Sequence, residues 1–152
     1  MNPTIIPPDG ENYIIVTIPG KPIPNVRHRY AKGVFYDPQA QIKEEVYWTI
    51  EAQLPRDGLF SGGWKLHKDP CSVEIQFFFK PPKSLSKKKQ AELINQPHTK
   101  KPDIDNLVKF YLDAAKISLY YDDAQIHQIT ASKKYAETEE TVIKIIRENK
   151  NV

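Results

Sequence analysis

The sequence predicts an α+β fold, a single compact domain with a mixed or antiparallel sheet and helices packed on it. Runs that alternate apolar and polar residues, as strands do, occur towards both ends of the chain, and helical spacing dominates between them. At 152 residues, 39% of them hydrophobic, the chain can form one packed core. We therefore expect one domain over residues 1–152, with an ordered core from about 12 to 148 because chain ends fray.

The first part of the chain predicts a strand, an irregular segment and a helix. The run YIIVTIPG (Tyr13–Gly20) is typical of a strand that ends at its Pro-Gly pair. The following segment, KPIPNVRHRY, contains two prolines and is not expected to form a regular element. From Asp37-Pro38 onward, apolar residues recur at helical spacing until Pro55. Leu54–Pro70 is rich in glycine and charge and predicts a long connection.

The second part predicts a central strand, two helices and two final strands. CSVEIQFFF, from Cys71, alternates as a half-buried strand does, and two prolines close it. A short basic helix then runs to Ile94, capped by Ser84 or Ser86. A second helix begins near Asp103 or Asp105 and continues to about Leu119. IHQITASKKY and TVIKIIRE, joined by AETEE, predict a hairpin.

Composition excludes several classes of protein and site. Cys71 is the one cysteine, so neither an internal disulfide nor a thiolate zinc cage can form. No apolar run approaches the length of a membrane span, and the N-terminus lacks the pattern of a secretory signal. We expect a cytoplasmic protein with neither a membrane partner nor a small-molecule substrate.

Positive charge is concentrated in one segment. Residues 80–101 carry seven lysines and one glutamate, a local charge of +6, so the rest of a chain of net charge +3 sums to −3. Such a block favours a polyanionic partner, although lysine runs are more often solvated loops. We take as candidate DNA contacts the seven lysines of this block and two arginines from the proline-containing segment: Arg27, Arg29, Lys80, Lys83, Lys87, Lys88, Lys89, Lys100 and Lys101.

The stretch KPDIDNLVKFYLDA, from Lys101 to Ala114, allows two interpretations. On the predicted helix, Asp105, Lys109, Asp113 and Lys116 share one stripe at steps of four, four and three. In the simpler interpretation this stripe is the solvent-exposed edge of a half-buried helix, with Asp103 or Asp105 as its N-cap. The alternative is the wall of a metal site. A cap requires one carboxylate, yet two lie in this turn.

A second acidic pair, Asp122-Asp123, follows where the helix is expected to end. Asp123 could return towards Asp103 by a chain reversal after Leu119, or approach through a neighbouring strand, and the sequence favours neither route. If the aspartates converge, a site of carboxylates alone selects Mg²⁺ or Mn²⁺ rather than zinc or copper. Such a site suits phosphodiester hydrolysis, with Lys109 placed to offset charge that develops on the phosphoryl group.

The same residues resemble a known family. KPDIDNLVK followed by YDDAQI resembles the D-x-D-N-L-x-K and D-D-x-Q-I elements of RusA-type crossover-junction endodeoxyribonucleases, Holliday-junction resolvases common in phages and prophages. GKPIPNVRHRY before FYDP also looks like the N-terminal region of that family, so the resemblance extends from about Tyr13 to Arg147. Two departures are clear: the family often has a glycine turn between helix and acidic pair, where this chain has Ala115-Lys116-Ile117-Ser118, and the Leu54–Pro70 connection looks longer than in compact members.

The resemblance implies a RusA-like fold and a structure-selective, Mg²⁺-dependent DNA endonuclease that cuts four-way junctions in symmetric pairs. It implies that Asp103, Asp105 and Asp123 are the Mg²⁺ ligands and that Lys109 is an active-site cation. Asp122 is the less critical member of its pair, and Asn106 supports the motif. A homodimer is also implied, because a junction has two symmetry-related scissile phosphates. The alternatives are a non-catalytic module that binds branched DNA and a less selective metal-dependent nuclease.

Overall fold

A four-stranded mixed sheet carries the helices of this protein. The computed structural model describes residues 13–54, 64 and 68–148. Most of the predicted connection Leu54–Pro70, including His67, lies outside the described residues. Residue 12, the expected start of the ordered core, also lies outside them. The elements are β1 (Tyr13–Pro19), β2 (Arg29–Ala31), β3 (Val34–Tyr36), α1 (Ala40–Glu51), β4 (Cys71–Phe79), α2 (Lys87–Leu93), α3 (Ile104–Ala115), a 3₁₀ turn (Asp123–Gln125), β5 (Ile126–Tyr135) and β6 (Glu140–Arg147).

The strand order β1-β6-β4-β5 confirms the α+β prediction and corrects one detail of it. The last two strands were expected to form a hairpin, but β4 lies between them, parallel to β5 and antiparallel to β6. The hairpin prediction was wrong because short connections favour neighbouring strands but do not require them. Residues 136–139 can span the two strand spacings, about 10 Å, across the end of β4. Ala136 donates to the Phe79 carbonyl there, at 2.8 Å.

The alternation of β4 explains its central position. Val73, Ile75, Phe77 and Phe79 are all buried on one face, as predicted. Helices α1 and α3 cover this face, and the Phe77 and Tyr111 rings lie 5.7 Å apart between sheet and helix. Large apolar side chains buried in this way contribute about 1.5–3 kcal/mol each. One face of the sheet therefore forms the core, and α3 is held against it.

The edge strand β1 is closed by the side chain of Gln53, two residues after the end of α1. Gln53 accepts from the Thr17 backbone N–H at 2.9 Å and donates to the Thr17 carbonyl at 2.7 Å. The buried amide thus replaces a neighbouring strand at this point of the edge, where unpaired backbone groups would otherwise be open to another chain. The contact also fixes the end of α1 against the sheet.

A short hairpin, β2–β3, was not predicted. Residues 21–28 are irregular, as expected, but Arg29 and Tyr30 belong to β2 and pair with β3. The turn at Lys32-Gly33 has positive φ at both residues, 52° and 78°, the combination that joins two-residue hairpins. The whole segment KPIPNVRHRY was predicted to be irregular because it contains two prolines. Gly33, between two aromatic runs, was the available signal.

Helix α3 ends four residues earlier than predicted, because the backbone turns sharply there. Lys116 is extended, and Ile117 follows with φ of 73°, in the left-handed region. A β-branched residue is strained in that conformation, which glycine adopts freely. Ile117 donates its backbone N–H to the Tyr120 carbonyl at 2.8 Å, which closes the reversal. This is the turn in which the resembling family often carries glycine.

We therefore expect Ile117→Gly to stabilise the protein. Release of backbone strain, on the order of 1–3 kcal/mol, exceeds the added chain entropy of glycine, about 0.5–1 kcal/mol. Urea unfolding should show an increase of about 1 kcal/mol in the free energy of unfolding. Ile42→Gly, at an exposed isoleucine within α1, is the matched control and should destabilise by about 1 kcal/mol. Destabilisation by Ile117→Gly would show that the turn is not strained.

Candidate active site

Helix α3 presents its stripe of charged residues to solvent. Asp105, Lys109 and Asp113 are all exposed, while Leu107, Phe110, Tyr111, Ala114 and Ala115 on the other side are buried. Asp103 occupies the N-cap position, but its side chain makes no capping hydrogen bond. Its two carboxylate oxygens instead accept from the Lys101 ammonium at 2.9 Å each. The simpler interpretation of Asp103 as a cap therefore fails for its side chain, and the carboxylate remains at the surface.

The reversal after α3 brings Asp123 back alongside the last turns of the helix. Tyr120 is buried, and its hydroxyl donates to the Leu112 carbonyl and lies 3.1 Å from Asp123 Oδ1. Burial, and after it the nearby Asp123 carboxylate, raises the pKa of Tyr120 well above its usual value, so the phenol stays protonated. The chain does reverse, at Ile117–Tyr120, and places Asp123 beside the Leu112 end of α3, whereas an approach of Asp123 to Asp103 stays a prediction.

The two carboxylates of the second acidic pair have different surroundings. Asp122 accepts from the Ala124 backbone N–H at 3.0 Å, and Gln125 accepts from the Asp122 backbone N–H at 2.7 Å. The side chains of Asp122 and Gln125, each accepting from the other residue's backbone N–H, form a capping box that starts the 3₁₀ turn. Asp123 takes no part in that box and contacts Tyr120 instead. The local fold therefore uses Asp122 as a cap.

A solvent-open cavity of about 600 Å³ lies between α3 and the start of β5. Charged groups of both signs line it, beside apolar side chains that include Leu112, Ile126 and Ile129. The charged or titratable lining residues are Arg27, His28, Lys43, Lys109, Asp113 and Asp123. A cavity in which carboxylates and cations face each other can hold an anionic group together with the cation that neutralises it.

Lys43 of α1 links this cavity to two other segments. Its ammonium lies 2.7 Å from Asp37 and 2.7 Å from Asp113, and its side chain is only 12% exposed. Burial lowers the pKa of Lys43, but the hydrogen bonds to Asp113 and Asp37 outweigh burial and raise it overall. The hydrogen bond from Lys43 also holds the pKa of Asp37 below its usual value, against the effect of burial. Asp113 thus has a structural ion pair as well as a place in the cavity lining.

The structure brings some of the predicted site residues together. Lys109 and Asp123 line one cavity, whereas Asp103 and Asp105 are not among its lining residues. Asp105 lies two turns before Asp113, about 12 Å along the helix axis. Within the described ranges, no three side chains of Asp, Glu, His or Cys are grouped so that they could hold a metal ion. The metal-ligand assignment therefore stays a prediction.

The predicted DNA contacts lie on several segments. Arg27 lines the cavity, and Arg29 lies on β2. Exposed lysines of α2 follow Ser86, which caps that helix as predicted by accepting from the Lys89 backbone N–H at 3.3 Å. Lys101 contacts Asp103, and the Lys100 carbonyl accepts from the Lys133 ammonium. The lysine block thus includes residues beside one of the candidate acidic ligands.

Sequence reasoning missed Lys43 and His28 as parts of this cavity. Lys43 belongs to α1, distant in sequence from α3, and no local pattern connects it with Asp113. His28 lies 3.7 Å from Asp37, the carboxylate that Lys43 also binds. The sequence offered one signal for the His28 contact: Asp37 follows the basic segment by a few residues, so an ion pair between them was possible.

Comparison with known proteins adds two findings. The sequence profile of the family described as Endodeoxyribonuclease RusA matches residues 19–146, most of the chain. An uncharacterised protein of Bacillus subtilis (strain 168), YqaN, is 40% identical over 83 residues. The aligned part makes up 52% of this chain and 58% of YqaN, so the chain spans little more than half the length of that relative.

The ion pairs of Lys43 predict a pH-dependent contribution to stability. Lys43→Met should lower the free energy of unfolding at pH 7 by roughly 1–2 kcal/mol, since it leaves two carboxylates without their cation. The pKa of Asp37 is lowered by folding, so its contribution is present above about pH 4 and is lost as the pH falls further. The difference between wild type and variant should therefore shrink below about pH 4.

Urea unfolding between pH 7 and pH 3 measures this difference. Lys134→Met, at an exposed lysine of β5, is the matched control and should change stability by less than about 0.5 kcal/mol at every pH. A difference for Lys43→Met that stays constant down to pH 3 would contradict the assignment.

Proposed function

The chain belongs to the RusA family of endodeoxyribonucleases, and from that premise we propose that it resolves four-way DNA junctions by Mg²⁺-dependent, paired and symmetric phosphodiester hydrolysis. The observation that carries the proposal is the cavity between α3 and β5, whose lining includes Lys109, Asp123 and Arg27. Carboxylates and cations in one open cavity match a reaction that needs a bound cation and a stabilised anionic phosphoryl group.

The proposed ligands of the divalent cation are Asp103, Asp105 and Asp123. Their donors are carboxylate oxygens, which fit Mg²⁺, and Mn²⁺ could substitute. The Lys101 ammonium that now binds Asp103 is 84% exposed, so its ion pair is worth at most about 1 kcal/mol and opposes metal binding only weakly. Once bound, the cation would polarise the phosphoryl oxygen and lower the pKa of an attacking water.

The remaining groups of the site would hold the proposed ligands in position and neutralise charge on the phosphoryl group. The Lys109 ammonium, one turn from Asp105, would offset the charge that develops on the phosphoryl oxygens. The buried Tyr120 hydroxyl holds Asp123 at the helix. Asp122 is less suited to bind metal because its carboxylate already caps the 3₁₀ turn. Asn106 supports the start of α3 through its backbone carbonyl, which accepts from Asn25 at 2.9 Å.

The basic residues would bind the DNA backbone, Arg27 from the lining of the cavity and the others from the surrounding surface of the protein. The lysines of α2 and its flanks are exposed and can pair with phosphates without rearrangement of the core. The proposed phosphate contacts are Arg27, Arg29, Lys80, Lys83, Lys87, Lys88, Lys89, Lys100 and Lys101.

Among the described residues, no helix has the length and apolar character that a membrane span requires.

We propose further that the active form is a homodimer. Each chain offers one set of candidate catalytic residues, whereas a four-way junction has two scissile phosphates related by a twofold axis. Two copies about a C2 axis would place two sites at a fixed spacing and so allow paired cuts.

Cleavage and binding, measured separately on the same variants, test this function. The assay uses a synthetic four-way junction with Mg²⁺ and with EDTA, and electrophoresis maps the nicks. Wild type should cut symmetrically, and only with Mg²⁺. Asp103→Asn and Asp123→Asn should each reduce cleavage more than about a hundredfold, because each removes a ligand. Both variants should keep junction binding, because their DNA contacts are intact.

Three results would contradict the proposal. Unchanged cleavage by either variant would remove that residue from the metal site. Junction binding by wild type without cleavage would make the protein a binding module for branched DNA. Equal cleavage of junction, plain duplex and an RNA hairpin would make it a less selective metal-dependent nuclease.

A further inference from the structure

The β2–β3 ribbon, residues 29–36, exposes aromatic side chains that no part of the proposed chemistry uses. All six strand residues are exposed, with Tyr30 at 63% and Phe35 at 76%. These two residues are cross-strand partners, and their ring centroids lie 4.9 Å apart. An isolated two-stranded hairpin is marginally stable, so exposed aromatic rings on one indicate a binding surface rather than a core contribution.

The base of the ribbon is fixed at the rim of the active-site cavity. Before the ribbon, the Val26 backbone N–H donates to the buried Gln39 side chain at 2.8 Å. After it, Asp37 accepts from the Gln39 backbone N–H at 2.9 Å and pairs with Lys43. Residues 25–28 line the cavity directly. The ribbon therefore leaves the body of the protein next to the candidate catalytic groups, at a position that hydrogen bonds hold on both sides.

The charge around the ribbon favours a polyanion over a second copy of the chain. Residues 21–36 include Lys21, Arg27, Arg29 and Lys32 and no acidic residue. A twofold contact of this surface with itself would bring like charges together. By contrast, Trp48 of α1, which is 58% exposed, has Glu44 and Glu45 nearby in its helix. Of these two exposed aromatic surfaces, the ribbon is the one with charge complementary to DNA.

We propose that the ribbon binds DNA at the branch point, where Tyr30 and Phe35 stack on bases that a junction exposes. Bases within a duplex are stacked on each other and cannot offer their faces, whereas bases at a branch can. Arg27 and Arg29, which precede Tyr30, and Lys32, which follows it, contact phosphate and hold the ribbon in place. This inference rests on the proposed function and deepens it, because it makes the ribbon the element that distinguishes a junction from a duplex.

Equilibrium binding without metal tests the ribbon independently of catalysis. Full-length protein is titrated, in EDTA, into a four-way junction that carries 2-aminopurine at the branch and into a duplex of the same sequence. Wild type should bind the junction more tightly and change the 2-aminopurine fluorescence. Phe35→Ala and Tyr30→Ala should each weaken junction binding about tenfold or more, leave duplex binding unchanged and lose most of the fluorescence change.

Two control variants separate stacking from other effects. Trp48→Ala removes an exposed aromatic ring away from the ribbon and should bind both DNAs as wild type does. Phe35→Leu keeps an apolar side chain but no ring, so it should lose the fluorescence change as Phe35→Ala does. Circular dichroism and sedimentation of every variant report folding and oligomeric state.

The contradicting outcomes differ for the two proposals. If wild type prefers the junction and the Phe35 variants prefer it equally, the ribbon inference fails and the proposed function stands. Equal weakening on junction and duplex, or a Phe35 variant whose sedimentation changes from that of wild type, would also overturn the ribbon inference; the latter result would make the ribbon a contact between copies. If wild type itself shows no preference for the junction, the proposed function fails and the ribbon inference fails with it.

Discussion

The position of Asp123 depends on one buried side chain, Tyr120. The chain leaves α3 at Ala115, reverses through the strained Ile117 and returns so that the Tyr120 hydroxyl meets the Leu112 carbonyl and Asp123. Because the tyrosine is buried, the reversal cannot shift without opening the core around it. A residue that follows a helix is thereby placed beside that helix, which makes a site shared by the helix and the second acidic pair possible.

Lys43 connects the same region to the first half of the chain. It binds Asp113 of α3 and Asp37 at the base of the ribbon. The segment before the ribbon is also bound to α3, because the Asn25 backbone N–H donates to the Asn106 carbonyl. Residues from the first third of the chain therefore meet α3 and the start of β5 around one cavity. The proposed division of work follows from this arrangement, with the α3 and Asp123 carboxylates for chemistry and the basic ribbon and α2 lysines for DNA.

Patterns within single elements were predictable from the sequence, and contacts between elements were not. The alternation of β4 and the Ser86 cap of α2 depend on neighbouring residues, and both were predicted. The insertion of β4 between β5 and β6 depends on sheet pairing over long separations, which periodicity does not report. The early end of α3 was missed because an isoleucine adopts a conformation that favours glycine.

The candidate site divides in the same way. The motif predicts Asp103, Asp105, Lys109 and Asp123 by spacing, and the resemblance implies that Asp122 is the less critical member of its pair; the cap that Asp122 forms becomes visible only in the structure. The Lys43–Asp113 ion pair could not be predicted, because a salt bridge between two helices leaves no periodic signal. Asp113, assigned to the wet edge of α3 by its spacing, has a tertiary partner that spacing alone could not reveal.

The central claim is that Asp123 and the acids at the start of α3 bind one divalent cation. The most direct measurement is Mn²⁺ binding by electron paramagnetic resonance for wild type, Asp103→Asn, Asp123→Asn and the double variant. One shared site predicts that each single substitution weakens binding by about tenfold or more and that the double variant loses little beyond either single one. Wild-type affinity in Asp123→Asn, or losses that simply add in the double variant, would contradict the claim.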